Sequence, residues 1–418
     1  MDRAQARELT IKSLTSIRQA SARRKKGLIR KHLASSVTKL DAAFRALPGN
    51  STTERVKAMA QRIDPFKPCG ASVFWWRIPK AKGGFRRLCR LPTVLYAASL
   101  MVKDVLETSF TPGPHLSDIK GQGRDREARR IAEALQQGYE FVYLADVTSC
   151  FDSVNLDALS QLPLPKVVIR NVLDTRTMDL RHAPHRERRY AQEHGVSYPY
   201  DDHTIERNGP RGLMQGSPAS NVIISWFFND LPGVLQTECV PFLLADDVLV
   251  VAEGVEDCRE IEKTLTGYFA GHRAGPFVLS GGITTIGDGF ERAGYGFRRR
   301  GLNEQDVVIE PSLANYGRIL EAAENGQLTD KEKGRVEPIA GKQALNARLS
   351  GFSAMSDLDS FRDEVTAGMR HDLRAAQRDA TRATDQLDAW LRRLPRGIRE
   401  SVLERFNASL SEQAPHHT

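Results

Sequence analysis

Residues 240–254 read VPFLLADDVLVVAEG. Two short apolar runs, each suited to a buried strand, flank the adjacent carboxylates Asp246 and Asp247. Aspartate is depleted in strands, and a buried carboxylate is costly unless it is paired or holds a metal. The pattern predicts a hairpin with both aspartates at its tip. Consecutive side chains point to different sides, so one carboxylate can be a ligand while the other supports it. Taken alone, Asp-Asp is also ordinary turn chemistry. What the rest of the chain delivers to the same point decides between the two readings.

Residues 139–154, YEFVYLADVTSCFDSV, form a second apolar strand that ends in an aspartate, Asp146, with Phe151 and Asp152 following. Two strands that each present an aspartate can converge. Convergent carboxylates suit Mg²⁺, a hard ion that takes oxygen ligands and leaves room for phosphate oxygens. Two such ions about 3.5–4 Å apart clamp an in-line phosphoryl displacement. Between these strands lies RGLMQGSPASNVIISWFF, residues 211–228. Gly212 and Gly216 permit close backbone approach. Ser217 is placed to cap the following helix, with Pro218 at its first position.

The composition limits the alternatives. The 418 residues suffice for two or three domains. The net charge of +8 is concentrated in RQASARRKKGLIRKH (18–32), LRHAPHRERRY (180–190) and FRRRG (297–301). Such clusters favour phosphate-rich partners, although each is equally a solvated face. The five cysteines are scattered without zinc-site spacing, so reduced thiols and a cytoplasmic location are expected. His182 and His185 in HAPH read as surface residues. No apolar run approaches the roughly 20 residues of a membrane span, and MDRAQARELT lacks the pattern of a signal peptide.

Along the chain, residues 1–60 read as a basic extension of two amphipathic helices ending at LPGNST. Residues 66–92 read as two strands around a basic Gly-Gly turn, followed by a buried helix, TVLYAASLMVKDVLETSF. Residues 155–211, polar and rich in turn formers, read as an insertion. From about Pro311 the pattern is almost wholly helical. Fold class is α+β with an α-helical C-terminal region.

The order Asp-x-x-x-x-Phe-Asp, then Gly-Leu-Met-Gln-Gly-Ser-Pro-Ala-Ser, then Leu-Ala-Asp-Asp resembles the palm of a reverse transcriptase, most closely the bacterial enzymes of group II introns, retrons and defence systems. IPKAKGGFRRLCRLP resembles the fingers hairpin, SDIKGQGRDREARRIAEAL the segment before the first aspartate, and GYGFRRRG the primer grip. The resemblance spans about residues 66–301. It implies a right-hand polymerase: a helical extension (1–60), fingers and palm (61–300), and a helical thumb (301–418). Asp146, Asp246 and Asp247 match the catalytic carboxylates, and with the backbone carbonyl of Val147 they match the ligands of two Mg²⁺ ions, Mn²⁺ being the alternative. Phe151 matches the aromatic gate against a ribose 2′-hydroxyl. Lys80, Lys82, Arg86 and Gln215 match nucleotide-binding positions. Gly212, Gly216, Ser217 and Leu244 match positions that support the template–primer.

Three departures stand out. Leu244 replaces the usual Tyr or Phe, Met214 replaces a Pro, and no Lys lies between Thr264 and Gly301 to protonate the leaving pyrophosphate. Arg292 is a substitute for that Lys. The resemblance implies RNA-directed DNA synthesis from dNTPs on an RNA template, in antiphage defence, with a non-coding RNA or accessory protein as partner. The alternatives are a catalytically idle RNA-binding scaffold, an RNA polymerase, and template-independent or protein-primed synthesis. The long C-terminal run is read as the thumb, with oligomerisation as its alternative role.

Overall fold

In the computed structural model of the chain, residues 1–80, 85–119, 121–195, 209–299, 306–325, 349 and 351–359 are described. They fall into two compact units, Met1–Thr285 and Ile286–Thr418. Lys82 and most of the expected thumb lie outside the described residues.

The first unit opens with four helices rather than two: α1 (Arg3–Gln19), α2 (Ala22–Ala34), α3 (Ser36–Ala46) and α4 (Thr53–Arg62). Ser21 and Ser35 stand in extended backbone just before α2 and α3 and divide the basic run, as helix-starting serines do. Asp2 and Gln5 form a reciprocal capping box on α1. These helices are not a detached extension. The first three pack on α5 (Thr93–Ser109), whose buried residues run along most of its length, and α4 packs on α3. Arg7 and Arg45 both reach Asp104 of α5, and Arg7 also reaches Asp41 at 2.9 Å. Buried carboxylates are tolerable when paired in this way.

Two sheets follow. The strands β1 (Val73–Pro79), β2 (Phe85–Arg90) and β4 (Leu180–His182) form the first, in the order β2-β1-β4. Helix α6 (Arg124–Gln136) leads to β3 (Phe141–Thr148). With β5 (Cys239–Leu244), β6 (Asp247–Ala252) and β7 (Val278–Thr285) it builds a fully antiparallel sheet, β5-β6-β3-β7. The helix α11 (Val255–Gly271) covers β3, β6 and β7. The short turns α7 (Cys150–Ser153) and α8 (Lys166–Val168) and the helices α9 (Pro184–His194) and α10 (Ser220–Phe227) complete the unit.

Within the region 155–211, read from the sequence as an insertion, the described residues contribute to the core of the first unit. Leu156, Leu159, Val168, Val172 and Leu173 are core residues, and β4 pairs in parallel with β1. Glu187 of α9, 1% exposed, accepts from the Arg77 backbone N–H at 2.7 Å and from His182 at 2.9 Å. Residues 196–208 lie outside the described residues.

The second unit holds β8 (Phe290–Arg292), β9 (Tyr295–Arg299) and β10 (Val307–Pro311) in antiparallel order, then α12 (Leu313–Asn325). The stretch read as a primer grip, residues 294–301, supplies Gly294 of the β8–β9 turn and all of β9, and its last two residues lie outside the described residues. Arg292 is a buried residue of β8. Among the described residues, no helix is long and apolar enough to cross a membrane.

His32 gives the helical region an acid sensitivity. Its ring nitrogen Nδ1 lies 3.0 Å from Ser13 Oγ, and burial pushes its pKa down from 6.5 to about 4, against the opposing charges of Asp104 and Asp41. The unfolded chain therefore binds a proton that the folded chain refuses. Stability from this group is fully present above pH 6.5 and falls as pH drops towards 4, by up to about 3 kcal/mol. Thermal unfolding between pH 7.5 and 4.5 should show a steeper loss for the wild type than for His32→Gln. Parallel profiles would remove His32 as the cause.

Candidate active site

The site is built where β3, β5 and β6 end. Asp146 near the end of β3 stands directly opposite Asp247, the first residue of β6, so their side chains share one face. Leu244 closes β5, also opposite Asp247. The two residues of the turn are therefore Ala245 and Asp246, not the two aspartates. Ala245 takes φ +54°, a left-handed conformation uncommon for a residue with a Cβ. Strained backbone of this kind collects at functional sites when the surrounding structure over-determines it.

One bond supplies that determination. The Val147 backbone N–H donates to the Asp246 carbonyl at 2.9 Å, tying the hairpin tip to β3. Val147 itself is fully buried. Burial, then the charges of Asp247 and Asp146, push the Asp246 carboxyl up to about 6, and Arg86 opposes the shift. Cys150 lies beside the same group: burial, Asp246 and Asp146 raise its thiol, keeping it neutral. Crowded carboxylates at a half-buried tip fit a divalent cation, whose charge relieves their repulsion. Among the described residues, no group of three or more His, Cys, Asp or Glu side chains is arranged to hold a metal ion on its own. Mg²⁺ bound by one or two carboxylates completes its shell with water and substrate phosphate.

The glycine loop is fixed against this strand. At Gly212 a Cβ would stand 2.1 Å from the Phe151 carbonyl oxygen, which instead accepts the Leu213 N–H at 2.7 Å. Gly216, at φ +113°, lies against the Cys89 carbonyl, where a Cβ would come within 2.4 Å. The neighbouring Gln215 carbonyl accepts the Cys89 N–H at 2.7 Å. Ser217 is not the cap of α10. Ser217 is 7% exposed, its hydroxyl lies 2.6 Å from Ser99 Oγ on α5, and α10 starts only at Ser220. The buried Ser99 hydroxyl draws Ser217 inward and so delays the helix.

The remaining expected residues are placed as follows. Phe151 packs in the core with 8% of its surface exposed. Lys80 follows β1 and is half-buried, and Arg86 on β2 is exposed opposite Ile78. One pair escaped the sequence reading: Arg87 bridges to Asp152 at 2.8 Å, joining β2 to the turn after β3. Asp152 stands in the same motif as Asp146, and its place there was the available signal.

Gly212 provides a direct test. Gly212→Ala should lower stability by about 1–3 kcal/mol, because the clash is with backbone. Gly267→Ala, where nothing lies within 4 Å of the new Cβ in α11, should be neutral or stabilising by roughly 0.5–1 kcal/mol. Equal melting temperatures for the two variants would contradict this packing.

Residues 78–273, a little under half of the chain, match the family model for reverse transcriptase (RNA-dependent DNA polymerase). That segment runs from the end of β1 through the carboxylate hairpin to just past α11. No curated protein matches the chain. Among solved structures, the telomerase of Candida albicans in complex with the TWJ fragment of telomeric RNA matches over 72% of this chain at 11% identity. The TM-score is 0.36, and the chain spans 57% of that protein's length.

Proposed function

We propose that the chain is an RNA-directed DNA polymerase whose active site is the Asp146–Asp246–Asp247 cluster. The observation that carries this reading is the β3–β6 register, which sets Asp146 opposite Asp247 within a segment that matches the reverse transcriptase family.

Asp146 and Asp246, with the Val147 carbonyl and Asp247 beside them, are the groups that would hold Mg²⁺ or Mn²⁺; two such ions, when bound, activate a primer 3′-hydroxyl and steady the leaving pyrophosphate. The protein's own residues do the positioning. Arg86 on β2 and Lys80 just after β1 meet the triphosphate, and Lys82, which lies outside the described residues, is proposed for the same task. Phe151 sits one turn beyond Asp146 and crowds the sugar 2′ position, favouring dNTPs. Gln215 and Gly216, fastened to Cys89, support the template–primer pair from below, with Gly212 and Leu244 at its margins. Ser217 contributes through Ser99 rather than by touching the duplex.

The exposed cations of α2, among them Arg23, Arg24, Lys26, Arg30 and Lys31, supply a second region for phosphate contacts. The biological setting we favour is cytoplasmic antiphage defence, with a non-coding RNA or an accessory protein as partner. It rests on motif likeness alone.

Primer extension on an RNA template with dNTPs and Mg²⁺ tests the assignment. Asp246→Asn and Asp247→Asn should each reduce product by roughly 10²-fold or more, the scale of losing a group that stabilises charge in the transition state. Retained RNA binding with no synthesis by the wild type would favour the scaffold reading instead. A second assay concerns the gate: Phe151→Ala should accept NTPs that the wild type rejects. Unchanged sugar selectivity in a folded variant would leave Phe151 as a core residue only.

A further inference from the structure

Away from the carboxylates, two clefts of about 270 and 150 Å³ share the wall residues Pro68, Cys69, Leu95 and Asn171. Three features of this place point to a ligand. The first is Asn171, 7% exposed, whose amide nitrogen Nδ2 is buried and has no hydrogen-bond partner among the described residues. A buried, unsatisfied donor is costly and rare in a native fold. Asn171 is held there by a π-turn, residues Ile169–Leu173, closed by the Asp174 N–H on the Ile169 carbonyl at 3.0 Å. Such turns re-aim a side chain at the expense of regular helix bonding and recur at functional sites.

The second feature is the start of α5. Val94 and Leu95, in its first turn, line the clefts, and the amides of a helix's first turn have no intrahelical acceptor. The third is charge. Arg62, Lys67 and Arg170 stand around the walls. The acids there are already engaged: Asp64 lies 3.8 Å from Lys67, and Asp179 accepts from Ser72 and Arg181. Arg170 spends its Nε on Asn171 Oδ1 at 3.4 Å and has no carboxylate partner among the described residues. The rest of the wall is apolar, with Pro68 and Met178 offering surfaces against which a planar ring can lie.

We propose that these clefts bind a nucleoside 5′-monophosphate. The phosphate meets the first turn of α5 and the arginines. The Asn171 amide donates to an acceptor on the base, and the base lies on the apolar wall. The same chemistry is presented by a free nucleotide and by the 5′-terminal nucleotide of a strand.

Calorimetric titration of the full chain in EDTA, which silences metal-dependent nucleotide binding, tests this. The probes are AMP, GMP, inorganic phosphate, and one oligonucleotide with either a 5′-phosphate or a 5′-hydroxyl. Saturable binding of AMP or GMP identifies a free nucleotide. Binding of the 5′-phosphorylated strand alone identifies a strand end. Either should weaken roughly ten-fold or more in Asn171→Leu and in Arg170→Ala, and persist in Asp246→Asn. Asn171→Leu should melt close to the wild type without ligand, because the loss of the long Arg170–Asn171 hydrogen bond is offset by removal of an unsatisfied donor. The proposal is overturned by no saturable binding at millimolar ligand, by unchanged affinity in both variants, or by equal affinity for inorganic phosphate alone.

Discussion

The hydrogen bond from the Val147 N–H to the Asp246 carbonyl governs the site. Antiparallel pairing puts Asp146 opposite Asp247, but a two-residue turn at the end of a hairpin is free to fray. Fastening its second residue to the neighbouring strand stops that. It also holds Ala245 in a left-handed conformation that it would otherwise leave. The consequence is electrostatic: Asp246 cannot retreat from Asp247 and Asp146, and its carboxyl is pushed up to about 6 by burial and by their charge. A cation relieves this energy more effectively than side-chain motion can, since the backbone is fixed.

The strands of this sheet were legible because they are short, apolar and bounded by acids or glycine, signals that survive without knowledge of partners. The turn was misplaced by one residue because nothing in Leu-Ala-Asp-Asp says that alanine takes the positive φ. Tertiary pairing decides it, through β3. The core residues between 155 and 195 were hidden for a different reason. They sit in short 3₁₀, α and π turns with no sustained period, so Leu159, Val172 and Leu173 look like isolated apolar residues in a polar stretch. Ser217 followed the rules for a helix cap, yet Ser99, more than a hundred positions away in the chain, offered its hydroxyl a buried partner. The basic run at the start of the chain hid its helix breaks because arginine and lysine suit both helix interiors and ends.

Asp152 shows what spacing alone misses. Its motif named Asp146 and Phe151 for chemistry and left Asp152 without a task. In the fold, Asp152 takes Arg87 from β2, while the backbone beside it meets Gly212. The segment after β3 is therefore held from two directions: by an ion pair to β2 and by the glycine loop, which is itself bonded to Cys89 of β2. The loop closes on itself through three unlike contacts, an ion pair, a backbone hydrogen bond and a glycine contact with no room for a methyl group.

That closure assigns different work to adjacent arginines. Side chains alternate along β2: the Arg87 side chain is spent on Asp152, while the backbone of Cys89 holds the Gln215–Gly216 loop. Arg86 and Arg90 face outward and are exposed. Arg86 still opposes the upward shift of Asp246, so its charge reaches the carboxylate cluster without being consumed by an ion pair there. Among the described residues Arg86 has no ion pair, and a cation so placed on an anchored strand can meet a polyphosphate without first breaking a bridge there. Exchanging the roles of Arg86 and Arg87 would need a one-residue slip of β2. Such a slip would put Cys89 out of reach of Gln215 and detach the glycine loop, so the register that frees Arg86 is the one that builds the floor of the site.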